Sequence, residues 1–96
     1  DSVVVGRRFS TACYIQGSFP AALYLALKYS EEPENGLVAN TNLGGDNCHR
    51  GAVLGALLGA SSGPRGFPDR WRNGLLARSE LDAFILACSR RMQEAP

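Results

Sequence analysis

The sequence predicts an all-α protein, a multi-helical orthogonal bundle that forms the C-terminal part of a larger all-α domain. Apolar residues recur at helical spacing in several segments, and residues typical of helix starts precede them. No two segments have the character of partner strands. The length of 96 residues corresponds to one domain or less, and 45% hydrophobic residues can supply a core. We therefore treat residues 1–96 as a single partial domain.

The first segment, residues 1–15, is compatible with two structures. The run of valines at residues 3–5 is β-branched and favours a strand. Phe9, Ala12 and Ile15 fit a short helix equally well. We expect a helix, because no later segment could pair with a strand.

The next helix is predicted over residues 18–29. Ser18 is the candidate N-cap, and Pro20 falls in the first turn, where its missing N–H has little effect. Gln16 and Gly17 would separate this helix from the first segment.

A polar link and a polar turn follow. Residues 30–35 are acidic, and a short helical turn weakened by Gly36 is expected near residues 33–38. Residues 40–50 form a polar, glycine-bearing turn that leads directly into a small-residue helix.

That helix is the centre of the predicted fold. Gly51, Gly55 and Gly59 share one face, although glycine inside a helix costs about 0.5–1 kcal/mol relative to alanine. We expect another backbone close to this face and a helix that is buried on all sides. A membrane dimer would use the same spacing, but the apolar run over residues 51–60 is much shorter than the roughly 20 residues of a membrane span.

Two further helices are predicted near the C-terminus. A short one begins at Pro68, and Trp71, Leu75 and Leu76 would anchor it on the core. The last begins at Ser79. Its amphipathic spacing comes from Leu81, Phe84, Ile85 and Cys88.

Composition restricts partners and location. A net charge of +1 gives no basis for a nucleic-acid surface, and no segment predicts membrane binding. The three cysteines, Cys13, Cys48 and Cys88, are odd in number and fit reduced thiols rather than a disulfide framework. We therefore expect a reducing, cytoplasmic location.

Candidate chemistry concentrates in the polar turn. Asp46 suits both an N-cap and a metal ligand, and Mg²⁺ would need further carboxylates from elsewhere. Cys48 and His49 could bind Zn²⁺ or act as a nucleophilic pair, although neighbouring helical side chains diverge by about 100°. For Cys48 we favour a buried, inert thiol over a nucleophile, and for His49 a structural or surface side chain over a catalytic one. Arg50 would bind an anion at the helix start or pair with Asp46.

Residues 44–60, GGDNCHRGAVLGALLGA, resemble the C-terminal motif of the ADP-ribosylglycohydrolase family. That motif reads Gly-Gly-Asp-Thr-Asp-Thr and is followed by a small-residue helix. The resemblance extends to residues 9–29, FSTACYIQGSFPAALYLALKY, and to residues 67–71, FPDRW. It covers the C-terminal portion of a family member, whose N-terminal part carries a second cluster of metal ligands.

The resemblance implies hydrolysis of ADP-ribosyl bonds on proteins or small acceptors, assisted by a binuclear Mg²⁺ site. Asp46 matches a metal ligand of the motif. Cys48 and His49 replace its second aspartate and final threonine, and a thiol is a poor ligand for Mg²⁺. Residues expected to line the cleft are Asn42, Gly44, Gly45, Asn47 and Arg50.

Two functions remain open at this stage. As part of a hydrolase, the chain would need the missing N-terminal part of the domain or another chain, and alone it would be inactive. The alternative is a non-catalytic helical module of the same fold, crystallin-like or specialised for docking a partner.

Overall fold

The computed structural model describes residues 1–9 and 15–94, and these two ranges contain helices and no β-strand. The all-α prediction is confirmed. The α-helices are α1 (Ile15–Lys28), α2 (Pro33–Leu43), α3 (Asn47–Ser62), α4 (Asp69–Asn73) and α5 (Arg78–Glu94). A π-helix precedes them at Val4–Phe9, and a 3₁₀ turn joins α3 to α4 at Pro64–Gly66.

The N-terminal segment is helical, as expected, and its valines do not form a strand. Val5 is completely buried against α1 and joins the core. The predictions for residues 10–14, including Cys13, lie outside the described residues.

The predicted start of α1 is wrong. Ser18 is not an N-cap, and Gln16 and Gly17 belong to the helix. Pro20 lies in the helix interior, where it supplies no backbone N–H. The helix continues because Ala21 and Leu25 are fully buried, and tertiary packing outweighs a local break signal.

α2 is longer than the predicted single turn. It starts with Pro33 in its first turn and includes polar residues that the sequence predicts as a loop, ending at Leu43. Packing explains the extension. Gly36 is buried where α2 meets α1, and a Cβ there would lie only 2.9 Å from Tyr29 Cβ and 3.1 Å from Leu58 Cδ1.

The core lies where the N-terminal segment, α1 and α3 meet, with α2 packed along α3. Its buried apolar members are Val5, Ala21, Leu25, Leu54 and Leu58. The prediction that α3 is buried on all sides is wrong for this chain: its other face is exposed at Ala52, Val53, Ala56 and Leu57. The described residues cover one face of a helix whose sequence is apolar around its circumference.

The glycine face of α3 meets side chains and not a second backbone. A Cβ on Gly51 would lie 2.9 Å from Asn40 Nδ2. A Cβ on Gly55 would lie 3.9 Å from Leu37 Cδ2, an ordinary contact distance. Among the residues that the structure describes, the predicted backbone crossing does not occur, and the close approach is limited to Gly51.

Both C-terminal helices form, but α4 ends at Asn73 and does not include Leu75 and Leu76, which the sequence predicts as part of it. Trp71 is partly buried and stacks on Phe67, with ring centroids 6.2 Å apart. Leu75 and Leu76 do not anchor on the core, because they are 52% and 108% exposed. Every residue of α5 after Arg78 is exposed, including its predicted apolar stripe.

None of the helices in the described ranges is both long enough and apolar enough to cross a membrane.

Candidate functional site

The turn between α2 and α3 brings the predicted polar residues into one corner of the fold. Gly44 and Gly45 adopt φ values of 72° and 64°, which residues with a Cβ rarely adopt. These left-handed conformations reverse the chain sharply, so that Asp46 lies directly before the first turn of α3.

Asp46 occupies the N-cap position, as predicted, but its carboxylate caps no backbone N–H. It faces His49 instead, with Oδ1 and Oδ2 at 2.8 and 3.1 Å from Nδ1. An ionised carboxylate can only accept a hydrogen bond, so Nδ1 is the donor. The predicted capping bond is wrong because the i, i+3 side chain competes for the same oxygen atoms.

His49 presents its remaining ring nitrogen, Nε2, away from this contact. The side chain is 85% exposed, while that of Asp46 is 22% exposed. A carboxylate that holds one nitrogen of an imidazole sets its tautomer and leaves the other nitrogen able to accept a proton or bind a metal. The pair therefore has the chemistry of an oriented histidine at the surface of the site.

Cys48 is a free, exposed thiol, which contradicts the prediction of a buried one. It lies on the uncovered side of the first turn of α3. Its Sγ atom is 4.0 Å from Asn47 Oδ1, while the ring of His49 turns towards Asp46. This arrangement agrees with the expected divergence of neighbouring helical side chains and does not make a Cys–His pair.

A cleft of about 470 Å³ opens beside the turn, between α2, the start of α3 and α4. Three predicted site residues, Asn42, Asn47 and Cys48, contribute to its lining. The other lining residues are Leu37, Val38, Asn40, Thr41, Gly51 and Trp71. The cleft combines apolar walls with amide and hydroxyl groups, as small-molecule sites commonly do.

Arg50 lies beneath the turn and is 1% exposed. Its Nη2 atom donates to the backbone oxygens of Asn40, at 3.1 Å, and Gly44, at 2.8 Å, and its Nε donates to Asn40 Oδ1. Nη1 is also buried and has no partner among the described residues. Burial lowers the pKa of the guanidinium below its ordinary value, and the nearby charge of Asp46 opposes the shift.

Asn40 and Trp71 are contributors that the sequence patterns did not assign to the site. Asn40 is 2% exposed and connects Arg50 to the first turn of α3. The sequence does contain a signal for Asn40. Arg50 and Gly51 place a charged side chain and a gap side by side in an otherwise apolar helix, and Asn40 is a polar residue of the preceding helix.

The donor atoms at the turn supply one ligand of the kind that Mg²⁺ takes, the Asp46 carboxylate. Cys48 and His49 offer softer atoms, and within the described ranges no group of three His, Cys, Asp or Glu side chains could hold a metal ion. The described residues therefore do not make a Mg²⁺ site by themselves.

The family model for ADP-ribosylglycohydrolase matches residues 3–96, essentially the whole chain. The chain belongs to the ADP-ribosylglycohydrolase family, as the resemblance of residues 44–60 indicated. This membership relates the chain to ADP-ribosylglycohydrolase-like hydrolases. It suggests the use of a divalent metal, although the described residues contain no group of three ligands for one. No curated protein and no solved structure shows a significant match to the chain.

Proposed function

We propose that this chain is the C-terminal portion of a hydrolase that cleaves ADP-ribosyl bonds on proteins or small acceptors. The observation that carries the proposal is the position of Asp46. It follows two glycines with positive φ, opens the small-residue helix and directly precedes Asn47, which lines a cleft of about 470 Å³. Family membership over residues 3–96 supports the reaction class.

In this proposal Asp46 contributes one ligand to Mg²⁺, and further ligands come from the N-terminal part of the domain. A bound divalent ion would polarise the bond to be broken. Asn42 and Asn47 line the part of the cleft nearest the turn, whereas Gly44 and Gly45 form the turn beside it and Arg50 lies behind the turn. His49 and Cys48 stand where the family motif has a threonine and an aspartate, and we assign them to the rim of the metal site.

The partners of the chain follow from the same proposal. The substrate is an ADP-ribosylated protein or small molecule, and the rest of the domain covers the exposed apolar faces of α3 and α5. The 96 residues alone would be inactive, because the described ranges supply one carboxylate at the turn and no complete ligand group. We keep the cytoplasmic location as a prediction that rests on the odd number of cysteines.

A second function, a non-catalytic helical module of the same fold, is favoured by one observation. Both carboxylate oxygens of Asp46 face His49, and no complete ligand group is present in the part of the chain that the structure describes. In such a module Asp46 would orient the start of α3 and bind no ion.

The deciding experiment measures release of ADP-ribose by a full-length protein that contains this chain. ADP-ribosyl-arginine and ADP-ribosyl-serine peptides would be incubated with it, with and without Mg²⁺ and EDTA. We expect EDTA-sensitive release that Asp46→Ala reduces by more than about 100-fold, beyond the range typical of outer-shell residues. The same variant should lose less than about 0.5 kcal/mol of stability, since its carboxylate caps no helix N–H.

Asp69→Ala is the matched control, because Asp69 is an aspartate that also lies at the start of a helix, α4. It should retain wild-type activity. No release of ADP-ribose by the folded wild-type protein would favour the non-catalytic module. Unchanged activity in Asp46→Ala would remove Asp46 from the metal site.

A further inference from the structure

Arg50 is buried in a place where its charge has no hydrogen-bonded carboxylate partner among the described residues. Three of its hydrogen bonds go to neutral oxygen atoms, those of Asn40 and the carbonyl of Gly44. A buried guanidinium is expensive to desolvate, and burial lowers its pKa. A simple structural contact between two helices would need no buried charge.

The partners of Arg50 lie before and within the glycine turn, whereas Arg50 itself follows the turn. Asn40 belongs to the C-terminal half of α2, and Gly44 is the first residue of the turn. Asn40 Nδ2 in turn donates to the carbonyl of Asn47 in α3, at 2.9 Å. The two side chains thus join the end of α2, the turn and the first turn of α3 in one hydrogen-bonded unit.

Gly51 completes this unit by providing space. A Cβ at residue 51 would lie 2.9 Å from Asn40 Nδ2, closer than real Cβ atoms approach. The Asn40 amide can therefore reach Asn47 only because residue 51 has no side chain. This gives one glycine of the α3 face a specific local function.

Asp46 is joined to this unit through its backbone, because the Arg50 N–H donates to the Asp46 carbonyl at 3.3 Å. Its carboxylate makes no capping bond, and its hydrogen-bonding partner His49 is largely exposed. Gly44 and Gly45 are the most permissive backbone residues, so the turn itself imposes little restriction. The direction of the carboxylate therefore depends on what holds the backbone of the turn as well as on the contact with His49.

We propose that Arg50 and Asn40 are positioning residues: their hydrogen bonds hold the backbone of the glycine turn and thereby orient Asp46 beside the cleft. Both act through the backbone of the turn and not on the reacting bond. The effect on catalysis rests on the proposed function, whereas the effect on the turn does not.

The test compares Arg50→Lys with wild type in the full-length protein. Lysine keeps the charge but cannot reproduce the forked contacts to Asn40 and Gly44. We expect amide exchange at Gly44, the turn residue whose N–H donates to the carbonyl of Thr41, to accelerate by about tenfold or more, as loss of one charge-assisted hydrogen bond allows. We also expect kcat for ADP-ribose release to fall about 10- to 100-fold with KM little changed.

Two further variants make the result specific. Arg65→Lys, at an exposed arginine outside the turn, should leave both measurements unchanged. Asn40→Asp has the same shape and still accepts from Arg50, but it loses the Nδ2 donor and places a second oxygen against the carbonyl of Asn47. Exchange at the turn should therefore accelerate as in Arg50→Lys, so this variant tests the proposal even if Arg50→Lys fails to fold.

Wild-type exchange at Gly44 in Arg50→Lys would overturn the proposal. A uniform rise in amide exchange across α1–α3, with kcat unchanged, would also overturn it. That pattern would mean that Arg50→Lys lowers only the global stability of the protein. If the folded wild-type protein releases no ADP-ribose, the proposed function fails, and the exchange pattern by itself decides the role of Arg50.

Discussion

The two ends of this chain differ in how their helices are used. From the N-terminal segment to α3, the described helices contribute fully buried side chains such as Leu25 and Leu54. In α4 and α5, over Asp69–Asn73 and Arg78–Glu94, no residue is buried. Both regions have helical spacing of apolar residues, so spacing alone does not produce burial. What differs is whether the described chain supplies a neighbouring surface.

The contrast is clearest between the two long helices. In α3, the face that carries Leu54 and Leu58 is covered by α1 and α2, and the opposite face is exposed. α5 leaves Phe84 68% exposed and Ile85 62% exposed. An amphipathic helix gains most of its stability from packing rather than from propensity. We therefore expect matched substitutions in the two helices to change stability by very different amounts.

The largest change in the free energy of unfolding should come from a substitution in α5 of a full-length protein. Phe84→Ala should destabilise a full-length protein by about 3–5 kcal/mol if the rest of the domain buries that ring. In this chain the same change should stay within about 0.5 kcal/mol, because the ring is already exposed. Urea unfolding of both proteins measures the difference. Glu80→Ala on the same helix is the control, and equal small effects of Phe84→Ala in both proteins would show that α5 stays uncovered.

The core of the first region should respond within this chain. Leu54→Ala removes a fully buried side chain and should lower the free energy of unfolding by about 2–5 kcal/mol. Leu86→Ala, the same substitution at a 53% exposed position of α5, should change it by less than about 0.5 kcal/mol. Thermal or urea unfolding of the two variants tests this. Comparable losses would mean that α5 is packed in solution.

The smallest effect concerns the glycine face of α3. Gly51→Ala should destabilise by about 1–3 kcal/mol, because its methyl group would meet Asn40 Nδ2. Gly55→Ala has room beside Leu37 and should instead gain about 0.5–1 kcal/mol from helix propensity. Opposite signs in the two melting curves support the Asn40 contact. A stabilising Gly51→Ala would contradict it.

Much of the candidate site follows from residue types and their order along the chain. Residue type alone predicts Asp46 at the start of α3, and residues 44–60 indicate the family. These predictions succeed because a helix start and a glycine turn depend on neighbours within a few residues. The predicted burial of Cys48 is wrong, since exposure depends on which side of α3 other helices cover.

Helical structure in the described ranges, the position of the glycine turn and family membership all follow from the sequence alone. They depend on local spacing, on backbone preference and on a motif whose residues are consecutive. The burial of Arg50, its pairing with Asn40 and the exposure of α5 emerge only once the helices pack. Burial and hydrogen-bond pairing join residues that are distant in sequence, and a helical pattern specifies an apolar face without specifying what meets it.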